Sequence, residues 1–359
     1  MKSSDFHPVS CSLLLAALTL GQPLISPVPS TYQLYNDSLL MGVWYNRISA
    51  TAAAADGANG VNQQWEQGTS TVWYIELQRF DCDDVTAAVY ANRPSLLSNG
   101  ENIFNWGFSK QTVDGGFNNC SNCTTPMQGT GDAFHSTSMF VEAVARCLIL
   151  MWQSPNFVTY ESYFNQVVPK LIRAASWLLV PSVLTIGIKN DMPYTHRRYI
   201  LAAALAETAL LTNDSSLQQQ FYSQAATFAQ NGLSLQDPSG FNPEKGGYDS
   251  SYNAYGLYQA CNYLVVYPNV SLRQELANML SNSFAWQLTR MNPNGSANLT
   301  GNTRVTADNN TDEVARSGYD KDYDYKSTIY AFELGSVLLQ NQTLHNEAQL
   351  VAIYKGYSH

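Results

Sequence analysis

Three short stretches gather the residues that can move protons or hold an anion. "GTGDAFHST" carries Asp132 and His135. "NDMPYTHRRY" carries Asn190, Asp191, Tyr194, His196, Arg197 and Arg198. "GGYDSSYNAYGL" carries Asp249, Ser251, Tyr252 and Tyr255. Each stretch opens a segment that is otherwise apolar, and polar side chains there are expensive unless they are solvated or used. Imidazole, phenol and carboxylate groups suit proton transfer, and guanidinium groups suit an anionic ligand. Asp132, Asp191, Glu244 and Asp249 also offer carboxylates for a hydrolytic pair, which needs a separation of about 6.5–9.5 Å in an inverting glycosidase. The competing reading is structural: tyrosines that pack, histidines bonded to a neighbouring loop, and Arg197 or Arg198 paired with Asp191.

The segments behind these clusters predict helices. Residues 133–152, 196–212 and 251–266 are apolar on most faces, whereas 159–180, 215–231 and 271–289 are amphipathic. A helix apolar all round is buried and one with a wet face lies outside, so the order alternates inner and outer. Ser215 with Gln218, and Ser271 with Gln274, have capping-box spacing, and Gly232 is placed to end the first of these outer helices. Helical hairpins repeating every 55–60 residues predict an all-α chain, arranged as a superhelix or a closed α/α toroid. His196 and Tyr252 lie 56 positions apart (252 − 196), one hairpin period, which places them at equivalent ends of neighbouring inner helices. The one strand-like stretch, 70–80, reads equally well as a helix. Residues 99–131 and 290–326 are expected to be long, aromatic-rich loops, with Trp106 in the first and Arg316 in the second, over a central cleft.

Composition narrows the function classes. The 359 residues are 45% hydrophobic and only 13% charged, with a net charge of −9. No basic patch supports a nucleic-acid partner. Lys2 followed by the apolar run Cys11–Leu20 is too short to span a bilayer and fits a secretory signal over 1–21, leaving one domain over 22–359. No later run is uniform enough for a membrane span. Nine Asn-x-Ser/Thr sites, at Asn36, Asn119, Asn122, Asn213, Asn269, Asn294, Asn298, Asn309 and Asn341, fit a secreted glycoprotein. Cys147 and Cys261 sit in apolar helical runs and read as small core residues, while Cys82, Cys120 and Cys123 are the disulfide candidates. Asp320, Asp322 and Asp324 match positions 1, 3 and 5 of a calcium loop. Tyr325 and Ala331 stand where that loop wants Gly and Glu, so no metal or other cofactor is expected.

"THRRYILAAALAETALL" and "GGYDSSYNAYGL", within residues 190–260, resemble inner-helix segments of α/α-toroid polysaccharide lyases, most nearly polysaccharide lyase family 38. The resemblance implies an enzyme that cleaves uronic-acid polymers such as alginate or glucuronan by β-elimination; the chain is expected to act as a monomer on an acidic polysaccharide. It implies that Tyr252 transfers the proton and His196 supports it. Asn190, Arg197 or Arg316 would neutralise the uronate. Asp132, His135, Tyr194, Asp249, Tyr255, Trp106 and Arg316 are the expected substrate contacts. A tyrosine acting as base, with a free pKa of ~10, needs a nearby cation. Two other classes stay open, a toroidal glycoside hydrolase and a non-catalytic carbohydrate-binding protein. Against the fungal-type α-1,6-mannanases stands the lack of an Asp-Asp pair at an inner-helix start, the sole such pair being Asp83-Asp84 in "FDCDDV".

Overall fold

A computed structural model describes residue 24 and residues 26–48, 75–91, 94–117, 130–305 and 322–357. Among these the protein is all-α, with no strand beyond isolated bridges. The helices are α1 (Thr31–Tyr35), α2 (Ser38–Ile48), α3 (Cys82–Ala91), α4 (Pro94–Ser109), α5 (Thr130–Gln153), α6 (Phe157–Leu178), α7 (Pro181–Asp191), α8 (Thr195–Leu211), α9 (Ser215–Leu235), α10 (Ser250–Val266), α11 (Val270–Leu288), α12 (Tyr325–Leu338) and α13 (Gln342–Lys355). The expected leader, Arg316, Cys120, Cys123 and Asp320 lie outside the described residues.

The inner and outer alternation expected from hydropathy is what the helices adopt. From Thr195 to Leu211, α8 exposes little beyond Arg197, and α10 and α12 are buried along nearly their whole length. The amphipathic α6, α9 and α11 each bury one stripe, such as Val167, Leu171, Ala174 and Leu178 on α6. Neighbour follows neighbour among the inner helices: α3 against α5, α5 against α8, α8 against α10, and α10 against α12. Helix α2 touches both α3 and α12, so the order of contacts is cyclic. The short α1 reaches α5, α10 and α12 and buries Tyr35, whose hydroxyl lies 2.8 Å from Asn262 Oδ1 and 3.0 Å from the Tyr258 hydroxyl.

One device recurs where outer helices end. Gly115, Gly240 and Gly295 each take a positive φ (101°, 107° and 81°). Each lies so close to the main chain of the next outer helix, at Arg173, Asn282 and Leu350 respectively, that no side chain would fit. In the first two turns a glutamine clamps the seat. The side-chain amides of Gln111 and Gln236 donate to the turn glycine's carbonyl and to a carbonyl of that next helix, at 2.9–3.0 Å. The hairpins are thus locked edge to edge by backbone contacts.

Several details differ from expectation. The outer helices α9 and α11 are capped by Asp214 and Asn269, whose carboxylate and amide oxygens precede Ser215 and Ser271 and take the first free N–H groups. Gly232 lies inside α9, against the ring of Tyr199, and does not end the helix. Residues 75–81 form a 3₁₀ turn, and 99–109 belong to α4 where a loop was expected, because Ile103, Phe104 and Phe108 form a buried stripe. Helix α7, begun by Pro181, adds to the α5–α8 connection, so inner helices begin unevenly at 130, 195, 250 and 325. Cys147 is disulfide-bonded to Cys82, joining α5 to α3, while Cys261 is a buried free thiol. Helix α5 is long and apolar enough by composition to cross a membrane, and its apolar surface is spent on neighbouring helices.

Candidate active site

The starts of α5, α8 and α10 bring the predicted clusters together. Gly256 makes the contact of α8 with α10 close: a Cβ there would lie 3.2 Å from both Cα and Cβ of His196. The approach sets the His196 and Tyr252 rings 4.8 Å apart, with the Tyr255 ring 6.0 Å and the Tyr194 ring 6.0 Å from the imidazole.

Two loops complete the group. The segment before α10 folds "EKGG" into a tight turn closed by the Glu244 N–H on the Gly247 carbonyl at 2.8 Å. Lys245 and Gly246 at its tip take φ of 49° and 84°, the sign a type I′ turn requires at both central residues. The turn is sewn to the start of α8, since the Lys245 N–H donates to the Pro193 carbonyl and the Thr195 hydroxyl donates to that of Pro243 (2.8 and 2.7 Å). Glu244 is thereby fully buried, with Oε1 2.7 Å from His196 Nδ1 and 3.0 Å from the His196 backbone N–H. The second loop, 302–305, brings Arg304 over the Tyr252 ring at 3.5 Å and over Tyr194 at 4.8 Å, with its Nη1 3.5 Å from Glu244 Oε2.

A column of alternating cations and rings results. Arg197 lies 4.0 Å from the Tyr194 ring; Arg304 lies near both Tyr194 and Tyr252; and Tyr252 neighbours His196. Cation–π contact of this kind is worth about 0.5–2 kcal/mol per pair, rising as water is removed. Burial pushes the His196 imidazole down to about 4, against the pull of Glu244, so the ring is neutral at neutral pH. His135 is likewise held neutral by burial and by the positive charges of Arg197, Arg79 and Arg304, with Nε2 4.0 Å from Glu76 Oε2. Burial raises the Asp132 carboxyl to about 6, with the nearby Arg197 opposing.

Some predicted residues are committed elsewhere. Asp249 caps α10: Oδ1 accepts the N–H groups of Ser251 and Tyr252, and Oδ2 accepts those of Arg304 and Val305, at 2.7–3.1 Å. It is fully buried and ties the Arg304 loop to the helix that carries Tyr252. Asp191, also fully buried, pairs with Arg197 at 2.7 Å. The Asn190 amide donates to the Gly131 carbonyl at 3.0 Å, joining α7 to α5. Tyr255 is half-buried, its phenol raised by burial. Trp106 sits on α4 with Lys110 Nζ 4.9 Å over its ring. Asp324, placed in the calcium-like pattern, caps α12 through the Ser327 N–H.

Contrary to expectation, an Asp-Asp pair does stand at the start of a buried helix: Asp83-Asp84 opens α3, whose residues Cys82–Val89 are all inside. Asp83 pairs with Lys326 and accepts from the Tyr330 hydroxyl at 3.0 Å, both on α12, and Asp84 accepts from Asn99. Sequence reasoning missed Arg304 and Glu76 and gave Glu244 no link to His196. Glu244 and Arg304 lie in no periodic segment and Glu76 in the ambiguous stretch 70–80; the signal that could have found Glu244 is the "EKGG" turn beside a helix start. Compared with protein-family models, curated proteins and solved structures, the chain matches none.

Proposed function

We propose that this chain is a secreted, monomeric α/α-toroid polysaccharide lyase that cleaves a uronic-acid polymer by β-elimination, without a cofactor. The observation that carries the reading is Tyr252 bracketed by a neutral imidazole and a guanidinium. Arg304, 3.5 Å from the ring, supplies the nearby cation that a tyrosine base requires. The phenolate takes the proton from C5 of the uronate. The C–H electron pair becomes the C4–C5 double bond as the C4–O bond breaks, and the leaving oxygen recovers the proton from Tyr252. Negative charge grows on the uronate carboxylate as C5 is deprotonated, and Arg197 and Arg304 are the cations positioned to meet it. Asn190 orders the α5–α7 wall through Gly131. Asp132, His135 and Tyr194 line the substrate side.

The test is ultraviolet absorbance of the unsaturated product on alginate and glucuronan, with Tyr252→Phe beside the wild type. Turnover should fall by roughly 10²-fold or more with the fold intact. A Tyr252→Phe protein with near-normal turnover ends the reading. A glycoside hydrolase is the second reading, favoured by Asp132 holding its proton up to about 6 and by Asp83-Asp84 at the start of α3. New reducing ends without unsaturated product identify it. Polymer binding without either product identifies a non-catalytic carbohydrate-binding protein.

A further inference from the structure

Glu244 is a buried carboxylate with two faces in use. Oε1 meets one residue twice, accepting the backbone N–H of His196 at 3.0 Å and lying 2.7 Å from its ring Nδ1. A carboxylate oxygen in this pose accepts, so Nδ1 carries the hydrogen. The imidazole has one proton, which leaves Nε2 with its lone pair. Oε2 faces the Arg304 guanidinium at 3.5 Å. The imidazole and guanidinium held by this carboxylate are the two groups that flank Tyr252, at 4.8 and 3.5 Å from its ring.

The setting favours a dedicated anchor over an incidental ion pair. Glu244 is fully buried, and leaving an unpaired carboxylate there would be strongly destabilising. Its main chain is fixed on both sides: its carbonyl accepts from the Thr303 hydroxyl at 2.8 Å, and its N–H closes the turn. Lys245, the next residue, holds a positive φ that side chains rarely adopt, a local strain retained where the turn must present Glu244 to His196. Thr303 is adjacent to Arg304, so the same turn sets the height of the guanidinium.

We propose that Glu244 is a positioning residue that fixes His196 in the Nδ1–H tautomer and holds Arg304 on the Tyr252 face, so that one carboxylate sets both neighbours of the phenol. Its consequence for turnover rests on the lyase reading; its effect on the imidazole does not. The groups facing His196 are Glu244, Tyr194, Tyr252, Tyr255, Arg197, Arg304 and His135. Among these Glu244 is the one carboxylate.

The experiment is nitrogen-15 NMR of the histidine rings in the full-length protein at neutral pH, with His196 assigned by its loss in His196→Gln. Wild type should show a protonated Nδ1 and a bare Nε2. Glu244→Gln keeps an acceptor and should keep the tautomer, whereas Glu244→Leu should lose it with circular dichroism unchanged. A wild-type Nε2–H form overturns the proposal, and so does a folded Glu244→Leu that retains Nδ1–H. If Glu244→Leu does not fold, the wild-type tautomer decides. On a polymer that the wild type cleaves, Glu244→Gln should lower kcat about 10-fold and leave KM within about 2-fold, because Arg304 loses its charge partner. Loss of KM alone would count against the Arg304 half. A wild type that shows the Nδ1–H form but cleaves no uronate polymer refutes the lyase reading and leaves the anchor standing.

Discussion

Replacing Gly256 by alanine tests the closest approach in the site. The new methyl would sit 3.2 Å from Cα and Cβ of His196 and 3.7 Å from a ring carbon of Tyr199. Carbon atoms prefer separations of about 3.5–4.0 Å, so α8 and α10 must part by a few tenths of an ångström. The His196 atoms belong to or adjoin the helix backbone, and no rotamer change moves them away. Overpacking of this kind costs about 1–3 kcal/mol. Alanine in place of glycine within a helix returns about 1 kcal/mol. The expected net loss is about 1 kcal/mol, which lowers the midpoint by roughly 2 °C in a chain of this size. Thermal and urea unfolding followed by circular dichroism measure it. Because the two helices carry His196 and Tyr252, turnover on a cleaved polymer should drop further, by about 3–10-fold. A variant more stable than wild type by about 1 kcal/mol would show helix propensity acting unopposed, and the close approach would then be wrong.

Asp249→Ala removes acceptors for four backbone N–H groups and should cost about 3 kcal/mol, a lost cap plus buried donors left unpaired; Asp249→Asn should retain about half of that in urea titrations. For pH, His196 is held at about 4, below the ordinary 6.5, so the unfolded chain binds more protons between those values and stability falls as pH drops from about 6.5 to about 4. The full shift is worth about 3 kcal/mol, and His196→Gln should lose that much less than wild type over the window. Asp132, raised to about 6, acts in the opposite sense over pH 4 to 6 and is present in both proteins, so the difference isolates His196.

The helices with the strongest patterns were legible because burial is written in their composition. Residues 196–212 and 251–266 are apolar on most faces, and α8 and α10 occupy Thr195–Leu211 and Ser250–Val266. Their starts were legible for the opposite reason, since polar side chains ahead of an apolar helix stand out. Helix α7 was not legible: Ile186 and Ile188 are exposed, so its pattern does not mark an inward face. Asp249 illustrates how a residue type misleads. Its position before "SSY" marks a cap as well as a ligand, and its geometry assigns both oxygens to the backbone.

The sequence by itself determined the all-α class, the alternation of buried and wet helices, and the placement of His196 and Tyr252 one hairpin apart. Those follow from periodicity and local hydrogen-bonding, which act over a few residues. Tertiary structure alone decided which groups meet Tyr252. Glu244 reaches His196 across 48 positions, and Arg304 reaches Tyr252 from a loop fixed by Asp249. It also paired Cys82 with Cys147 and set Asp83 against Lys326 and Tyr330 of α12. Such contacts depend on how closely helices approach and where turns aim their side chains. Gly256 and the "EKGG" turn fix both distances; the turn is visible in the chain as a local pattern, but the partner it is aimed at is not.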